Sequence, residues 1–159
     1  MPRCCRWWDW VARSAVVALV AVATYTGCGD SSSAGNKPVF PTQGTVTYLG
    51  QGAAGVVVTL HPSGANDPAA IYPHGTTDAS GAFQLTSYVL NDGAPVGTYR
   101  VSLKWPDTSY QPRTPEEREN MFMGERPDRF RGRYLNPATS NLTVTITEGE
   151  NQLPPFDLR

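Results

Sequence analysis

The chain has 159 residues, with 13 basic against 14 acidic side chains and a formal net charge of −1. Its length suits a leader followed by one domain, but not two domains. The near-neutral charge argues against a strong nucleic-acid-binding protein, because such proteins carry a clear basic excess.

The N-terminal segment has the pattern of a bacterial secretory signal. Three arginines precede an apolar run over 14–25, and small residues follow directly before Cys28. This arrangement resembles the lipobox of bacterial lipoproteins, although Tyr25 stands where that motif usually has leucine. The resemblance implies that 1–27 is a signal peptide, and that Cys28 becomes the first residue of the mature chain and carries lipid.

A transmembrane anchor is the alternative interpretation of this segment. The uncharged stretch over 14–29 is shorter than the roughly 20 apolar residues that span a bilayer. Two or more acyl chains on Cys28 would instead hold the protein stably on a membrane. Asp30 does not directly follow the cysteine, and in lipoproteins this favours the outer membrane or the cell surface. The predicted location is therefore the bacterial cell envelope.

Cysteine content and composition define the region after the signal. The cysteines are Cys4, Cys5 and Cys28, so the domain after the signal would have no free thiol, which excludes disulfides, thiolate metal sites and cysteine nucleophiles. The segment 28–41 is rich in Ser, Gly and Pro and lacks apolar periodicity, which predicts a flexible tether without ordered structure. The folded domain is then predicted over 42–159.

Alternating apolar and polar residues dominate this domain and predict strands. The predicted strands cover 45–48, 56–61, 82–87, 99–105, 142–147 and 153–158. Turn-forming sequences rich in Gly, Asn and Asp separate them. Many short strands with almost no helical pattern indicate an all-β fold, an antiparallel β-sandwich.

Four segments also follow the order of a known family. They read GTVT at 44–47, GAAGVVV at 52–58, TDASGAF at 77–83 and GAPVGTYRV at 93–101. This order resembles the carboxypeptidase-regulatory-like domain of small bacterial lipoproteins. The resemblance implies a transthyretin-like, Ig-like sandwich of about seven strands. The pair Ala54-Gly55 departs from the usual pattern at one turn.

The TDASGAF segment has a structural explanation that needs no ligand. Asp78 is expected to accept hydrogen bonds from main-chain amides two residues on and thereby close a tight turn. Gly81 would supply a positive φ, and Phe83 would enter the core. A calcium site at Asp78 would need further oxygen ligands in the same loop, and the sequence offers none nearby.

A charged, proline-rich insertion is predicted over 106–137, containing one short helix. Thr114 suits the N-cap, Pro115 the first helical position and Glu117 the third, with Gly124 as the stop. The apolar residues at 121–123 are expected to cover one end of the sandwich. The fold of the sandwich determines this insertion least, and loops of this kind commonly carry function. The insertion is therefore the region predicted to determine binding specificity.

Arginines and aromatic residues within the insertion suggest an anion-binding or sugar-binding site. In an extended segment Arg129, Arg131 and Arg133 would share one face and bind phosphate, sulfate or carboxylate groups. Phe130 and Tyr134 would then offer stacking surfaces. The acidic residues of the insertion balance these arginines, so a solvated, self-paired loop is the alternative.

The sequence offers little support for catalysis or for a cofactor. His61 and His74 are the only histidines, and their spacing predicts no metal site. No serine lies in a Gly-x-Ser-x-Gly turn. The predicted function is a noncatalytic, lipid-anchored envelope module with a structural or protein-interaction role. The alternative is a carbohydrate-binding or cell-wall-binding module.

Overall fold

A computed structural model describes residues 36–64 and 70–159, and in this region the chain forms an all-β domain with one short helix. Cys28 and the predicted signal peptide lie outside the described residues. The strands are β1 (Val39–Phe40), β2 (Thr42–Tyr48), β3 (Gln51–Gly52), β4 (Val57–Pro62), β5 (His74–Thr76), β6 (Ala82–Gln84), β7 (Ala94–Pro95), β8 (Gly97–Lys104), β9 (Thr143–Ile146), β10 (Asn151–Gln152) and β11 (Phe156–Leu158). The helix is α1 (Pro115–Phe122).

The first main sheet is organised around β2. Strands β3 and β6 pair with it in antiparallel fashion. Strands β10 and β11 pair with its other side in parallel, with Asn151 opposite Thr42 and Phe156 opposite Val46. The prediction of a purely antiparallel arrangement is therefore wrong at this edge, because the C-terminal segment returns alongside β2 in the same direction.

The second main sheet is antiparallel throughout, in the order β5–β4–β8–β9. A separate two-stranded pair joins β1 to β7, with Val39 opposite Pro95. Regular structure therefore begins before residue 42, and the prediction of no order up to residue 41 is wrong at Val39–Phe40. We call the end of the domain at which this pair lies the entry end, and the end at which β8 finishes the far end.

Alternation along the strands places one face of each sheet in a common core. Val58 and Leu60 of β4 and Val101 and Leu103 of β8 are completely buried, as the period of two predicts. They form one cluster with buried residues of the first sheet, including Val46 of β2. Burying such side chains removes apolar surface from water and stabilises the fold by about 25 cal/mol per Å².

The turn between β5 and β6 forms as predicted around Asp78. Its carboxylate accepts hydrogen bonds from the main-chain N–H of Ser80 at 2.8 Å and of Ala82 at 3.1 Å. Gly81 adopts a φ of +85°, and Phe83 is buried. Hydrogen bonds from the Ser80 side chain and main chain lower the pKa of Asp78. The carboxylate thus serves the turn itself.

Helix α1 begins as its sequence predicts. Thr114 accepts a hydrogen bond from the Glu117 N–H at 3.1 Å, and the Glu117 carboxylate accepts one from the Thr114 N–H at 3.1 Å. This capping box satisfies amides that the first helical turn leaves unpaired. Gly124 follows the helix with a φ of +83°, a conformation that glycine adopts readily.

Candidate functional site

The insertion attaches to the far end of β8 through Asp128. The Asp128 carboxylate accepts hydrogen bonds from the main-chain N–H of Trp105 at 2.7 Å and of Gly132 at 2.8 Å. A weaker bond comes from the Phe130 N–H at 3.3 Å. From the sequence alone, Asp128 could only be counted among the acidic residues that balance the arginines of the insertion. In the structure it connects the first residue after β8 to the middle of the insertion.

Phe130 forms the centre of an aromatic cluster at this end. Its ring lies 5.2 Å from that of Trp105, 5.3 Å from that of Tyr134 and 5.7 Å from that of Tyr48, measured between ring centroids. The residue is 7% exposed and belongs to the hydrophobic core. The prediction of Phe130 as a surface for sugar stacking is therefore wrong, because neighbouring rings cover it. Tyr134 is half-buried against the same core.

The three arginines do not lie on an extended segment. The Arg129 guanidinium lies 3.8 Å from the centroid of the Trp105 ring, whereas Arg133 Nη1 donates to the main-chain oxygen of Arg159 at 2.8 Å. Arg131 is exposed, with a φ of +55°. The extended arrangement predicted for this segment is wrong because the backbone turns there, as the positive φ of Arg131 and Gly132 requires. Arg129 and Arg133 already have partners within the protein.

Helix α1 does not cover the core. None of its residues is buried, and Phe122 and Met123 are 93% and 78% exposed. The prediction that residues 121–123 cover one end of the domain is therefore wrong for Phe122 and Met123, while Met121 is half-buried. The reason lies in the spacing: a buried helix face needs apolar residues at intervals of three and four, and here they follow one another at the end of the helix.

A polar groove runs along the first sheet beside β5, and its lining includes the Asp78 carboxylate. It has a volume of about 670 Å³ and is lined by three glutamines in a row, Gln152, Gln43 and Gln84. The strand register explains the row, because Gln152 lies opposite Gln43 and Gln43 lies opposite Gln84. Thr45 and Thr76 add hydroxyl groups. Amides and hydroxyls both donate and accept hydrogen bonds, so this glutamine row suits a polar ligand, and the Asp78 carboxylate in the same lining disfavours an anionic one.

The glutamine row could not be recognised from the sequence. Outward-facing positions can be recognised from alternation along one strand, but the neighbours of those positions depend on strand register. In this sheet the register joins residues of β2 to residues of β10 more than a hundred positions later. The alternation of residues within one segment does not predict which distant segment will pair with it.

His61 forms a contact that the sequence did not indicate. Its Nε2 lies 2.8 Å from the Ser102 hydroxyl, and its ring packs edge-on against Tyr72. Burial lowers the pKa of His61, which favours the neutral ring at pH 7. Nucleophilic catalysis by such a pair requires a third group that orients the histidine, and no carboxylate of the described residues is hydrogen-bonded to this ring.

Two further features concern metals and membranes. Residues 36–64 and 70–159 contain no group of three or more His, Cys, Asp and Glu side chains placed to hold a metal ion. No helix in that same region has the length and apolar character needed to cross a membrane.

Comparisons with protein-family models, curated proteins and solved structures gave no match to this chain.

Proposed function

We propose that this protein is a noncatalytic, lipid-anchored module of the bacterial cell envelope, at the outer membrane or cell surface, that binds another envelope protein by strand addition. The anchor would be lipid on Cys28. The domain would be a β-sandwich of the transthyretin-like type. The observation that carries the interaction role is the outer edge of β9, with which no strand of the described part of the chain pairs.

The sandwich interpretation is supported by the core. Two sheets each bury one face, and their side chains form one hydrophobic cluster. Face-to-face packing of two sheets uses this arrangement, in which inner faces interdigitate and outer faces stay polar. The resemblance of four segments to carboxypeptidase-regulatory-like domains adds the transthyretin-like type to the proposal.

The outer edge of β9 offers main-chain groups to a partner strand. Val101 N–H donates to Leu142 O at 2.9 Å, so hydrogen-bonded pairs between β8 and β9 continue at every second residue. By this register the main-chain groups of Thr143 and Thr145 point away from β8. Within residues 36–64 and 70–159, no strand pairs with this edge.

The side chains along this edge do not protect it. Thr143 and Thr145 are exposed and uncharged, whereas proteins commonly block free edges with charged side chains or proline. The opposite edge of the same sheet is partly closed, because His74 of β5 forms a bridge to Thr86. Strand addition to an open edge obtains affinity from main-chain hydrogen bonds, which makes β9 the proposed binding strand.

A Thr145→Pro substitution tests this proposal. Proline removes one outward N–H but leaves the bonds between β8 and β9, so we expect partner binding to be lost while the domain stays folded. The measurement is photo-crosslinking in cells from a benzoylphenylalanine at position 143, read as capture of a protein of defined mass. Thr145→Val, which keeps the N–H, is the matched control and should retain capture. Equal capture by both variants would refute strand addition.

Lipidation has its own test, the intact mass of the protein purified from the membrane fraction. We expect a chain that begins at Cys28 and carries acyl groups, and we expect Cys28→Ala to abolish both the acyl mass and membrane retention. A mass that starts elsewhere without acyl groups would refute the anchor. A mass that retains Met1 would instead indicate an uncleaved anchor.

The glutamine row supports a second candidate, a cell-wall or carbohydrate-binding module. Hydroxyl-rich polysaccharides match its uncharged donors and acceptors. Retention on isolated cell-wall polysaccharide should fall at least several-fold in a Gln43→Ala variant, because Gln43 is the middle residue of the row. Retention unchanged by Gln43→Ala would refute this second candidate.

A further inference from the structure

The loop between β6 and β7 ends in an exposed apolar tip at the entry end. Tyr88, Val89 and Leu90 follow one another in this loop, and Val89 and Leu90 are 69% and 81% exposed. Apolar side chains of this size usually contribute to the core. Here Tyr88 lies beside Lys37, at the end of the domain at which residues 36–41 enter, and Leu90 also lines the groove that contains the glutamine row.

Asp92 holds the tip in one conformation. Its carboxylate accepts hydrogen bonds from the main-chain N–H of Ser87 at 2.7 Å and of Tyr88 and Val89, both at 2.9 Å. Burial alone would raise the pKa of Asp92, but these bonds outweigh it and lower the pKa. The carboxylate is therefore ionised at neutral pH and directed at the amides of its own loop.

The amides of two further residues in the loop also have internal partners. Asn91 N–H donates to Thr86 Oγ1 at 3.0 Å, and Asp92 N–H donates to Val89 O at 3.0 Å. An apolar medium penalises main-chain polar groups that lack partners by several kcal/mol each. Five amides of this loop are thus paired internally, whereas the Leu90 N–H has no partner among the described residues and needs a polar group from the surroundings. The loop therefore suits the boundary of an apolar medium and not its interior.

The tip also lies beside the segment that leads toward Cys28. The main-chain N–H of Lys37 donates to the Tyr88 hydroxyl at 3.0 Å, and Gly93 packs directly against the Phe40 carbonyl. Lys37 follows Cys28 by nine positions, and an extended chain of that length reaches about 30 Å. A lipid on Cys28 would therefore keep the tip close to the bilayer.

We propose that the tip formed by Tyr88, Val89 and Leu90 inserts into the lipid surface and forms a second membrane contact beside the acyl chains. This inference rests on the proposed lipid anchor at Cys28. Tyrosine prefers the boundary between headgroups and hydrocarbon, and Val89 and Leu90 supply the apolar area. Two contacts would orient the domain, with the entry end toward the membrane and the insertion away from it.

The test uses the full chain, purified from membranes and reconstituted in vesicles of phosphatidylethanolamine and phosphatidylglycerol. A nitrobenzoxadiazole label is attached at Leu90→Cys or, as the matched control, at Phe122→Cys, in a Cys4→Ser, Cys5→Ser background. Both positions are strongly exposed, so neither substitution should affect folding. The same background without the added cysteine reports any labelling of Cys28.

We expect the label at position 90 to brighten several-fold on vesicles and to be quenched by lipids carrying nitroxide on their acyl chains. The label at position 122 should keep the emission it has in water. If the protein floats with the vesicles while both labels keep the emission they have in water, the membrane tip is refuted and the lipid anchor stands. A protein that lacks acyl mass but shows the change at position 90 overturns the anchor alone. A protein that neither carries acyl mass nor floats overturns both proposals.

Discussion

Replacement of Gly93 by alanine should lower the free energy of unfolding by more than about 4 kcal/mol, which is exceptional for one methyl group. Gly93 has a φ of +98°, and a β-carbon there would overlap the carbonyl oxygen of Phe40. That oxygen belongs to β1, which is held by its pairing with β7. The backbone must therefore separate at the entry end before the substitution fits.

Gly149 provides a matched control for this substitution. Its φ of +94° is nearly the same, but a β-carbon there meets no described atom within 4 Å. Gly149→Ala therefore carries only the strain of a positive φ, about 1–2 kcal/mol. Urea unfolding followed by circular dichroism measures both variants. Equal losses at the two positions would contradict the close approach of Gly93 to Phe40.

Phe130→Ala is expected to lower the free energy of unfolding by about 3–5 kcal/mol, the range for removing a buried phenylalanine ring. The cavity would lie among Trp105, Tyr134 and Tyr48, which contact the Phe130 ring. Because these contacts join the insertion to the far end of the domain, amides near Asp128 should also exchange with solvent much faster. Urea unfolding and hydrogen exchange measure the two effects.

Phe122 makes the matched comparison within the same insertion. It is 93% exposed, so Phe122→Ala should change the free energy of unfolding by no more than about 0.5 kcal/mol. The two substitutions remove the same atoms and differ only in burial. A large effect at Phe122, or a negligible one at Phe130, would contradict the described placement of the insertion.

The longer strands could be predicted from the sequence, and the two-residue strands could not. Alternation at 99–105 and 56–61 predicted β8 and β4 because a half-buried strand of six or more residues repeats its pattern several times. Strands β1, β3 and β7 have two residues each, too few to show any period. Their existence depends on tertiary partners, such as the pairing of Val39 with Pro95.

In the insertion, too, features set by neighbouring residues could be predicted and features set by distant residues could not. The capping box of α1 was predictable because Thr114 and Glu117 are three residues apart in the chain. The burial of Phe130 was not, since it depends on Tyr48 of β2 and on Trp105, which follows β8. The prediction of an extended arginine segment was wrong for a related reason. A positive φ at a non-glycine residue such as Arg131 is uncommon, and nothing in this sequence indicates it.

The parallel pairing of β10 and β11 with β2 has a consequence for the order of folding. Thr47 of β2 and Asp157 of β11, hydrogen-bonded to each other, are 110 residues apart in the chain. The first long strand to leave a ribosome or a translocation channel therefore waits for residues 151–158 before its sheet can close. Contacts of such sequence separation form slowly. A chain exported as proposed would remain extended throughout its passage across the membrane and would fold only once that passage was nearly complete.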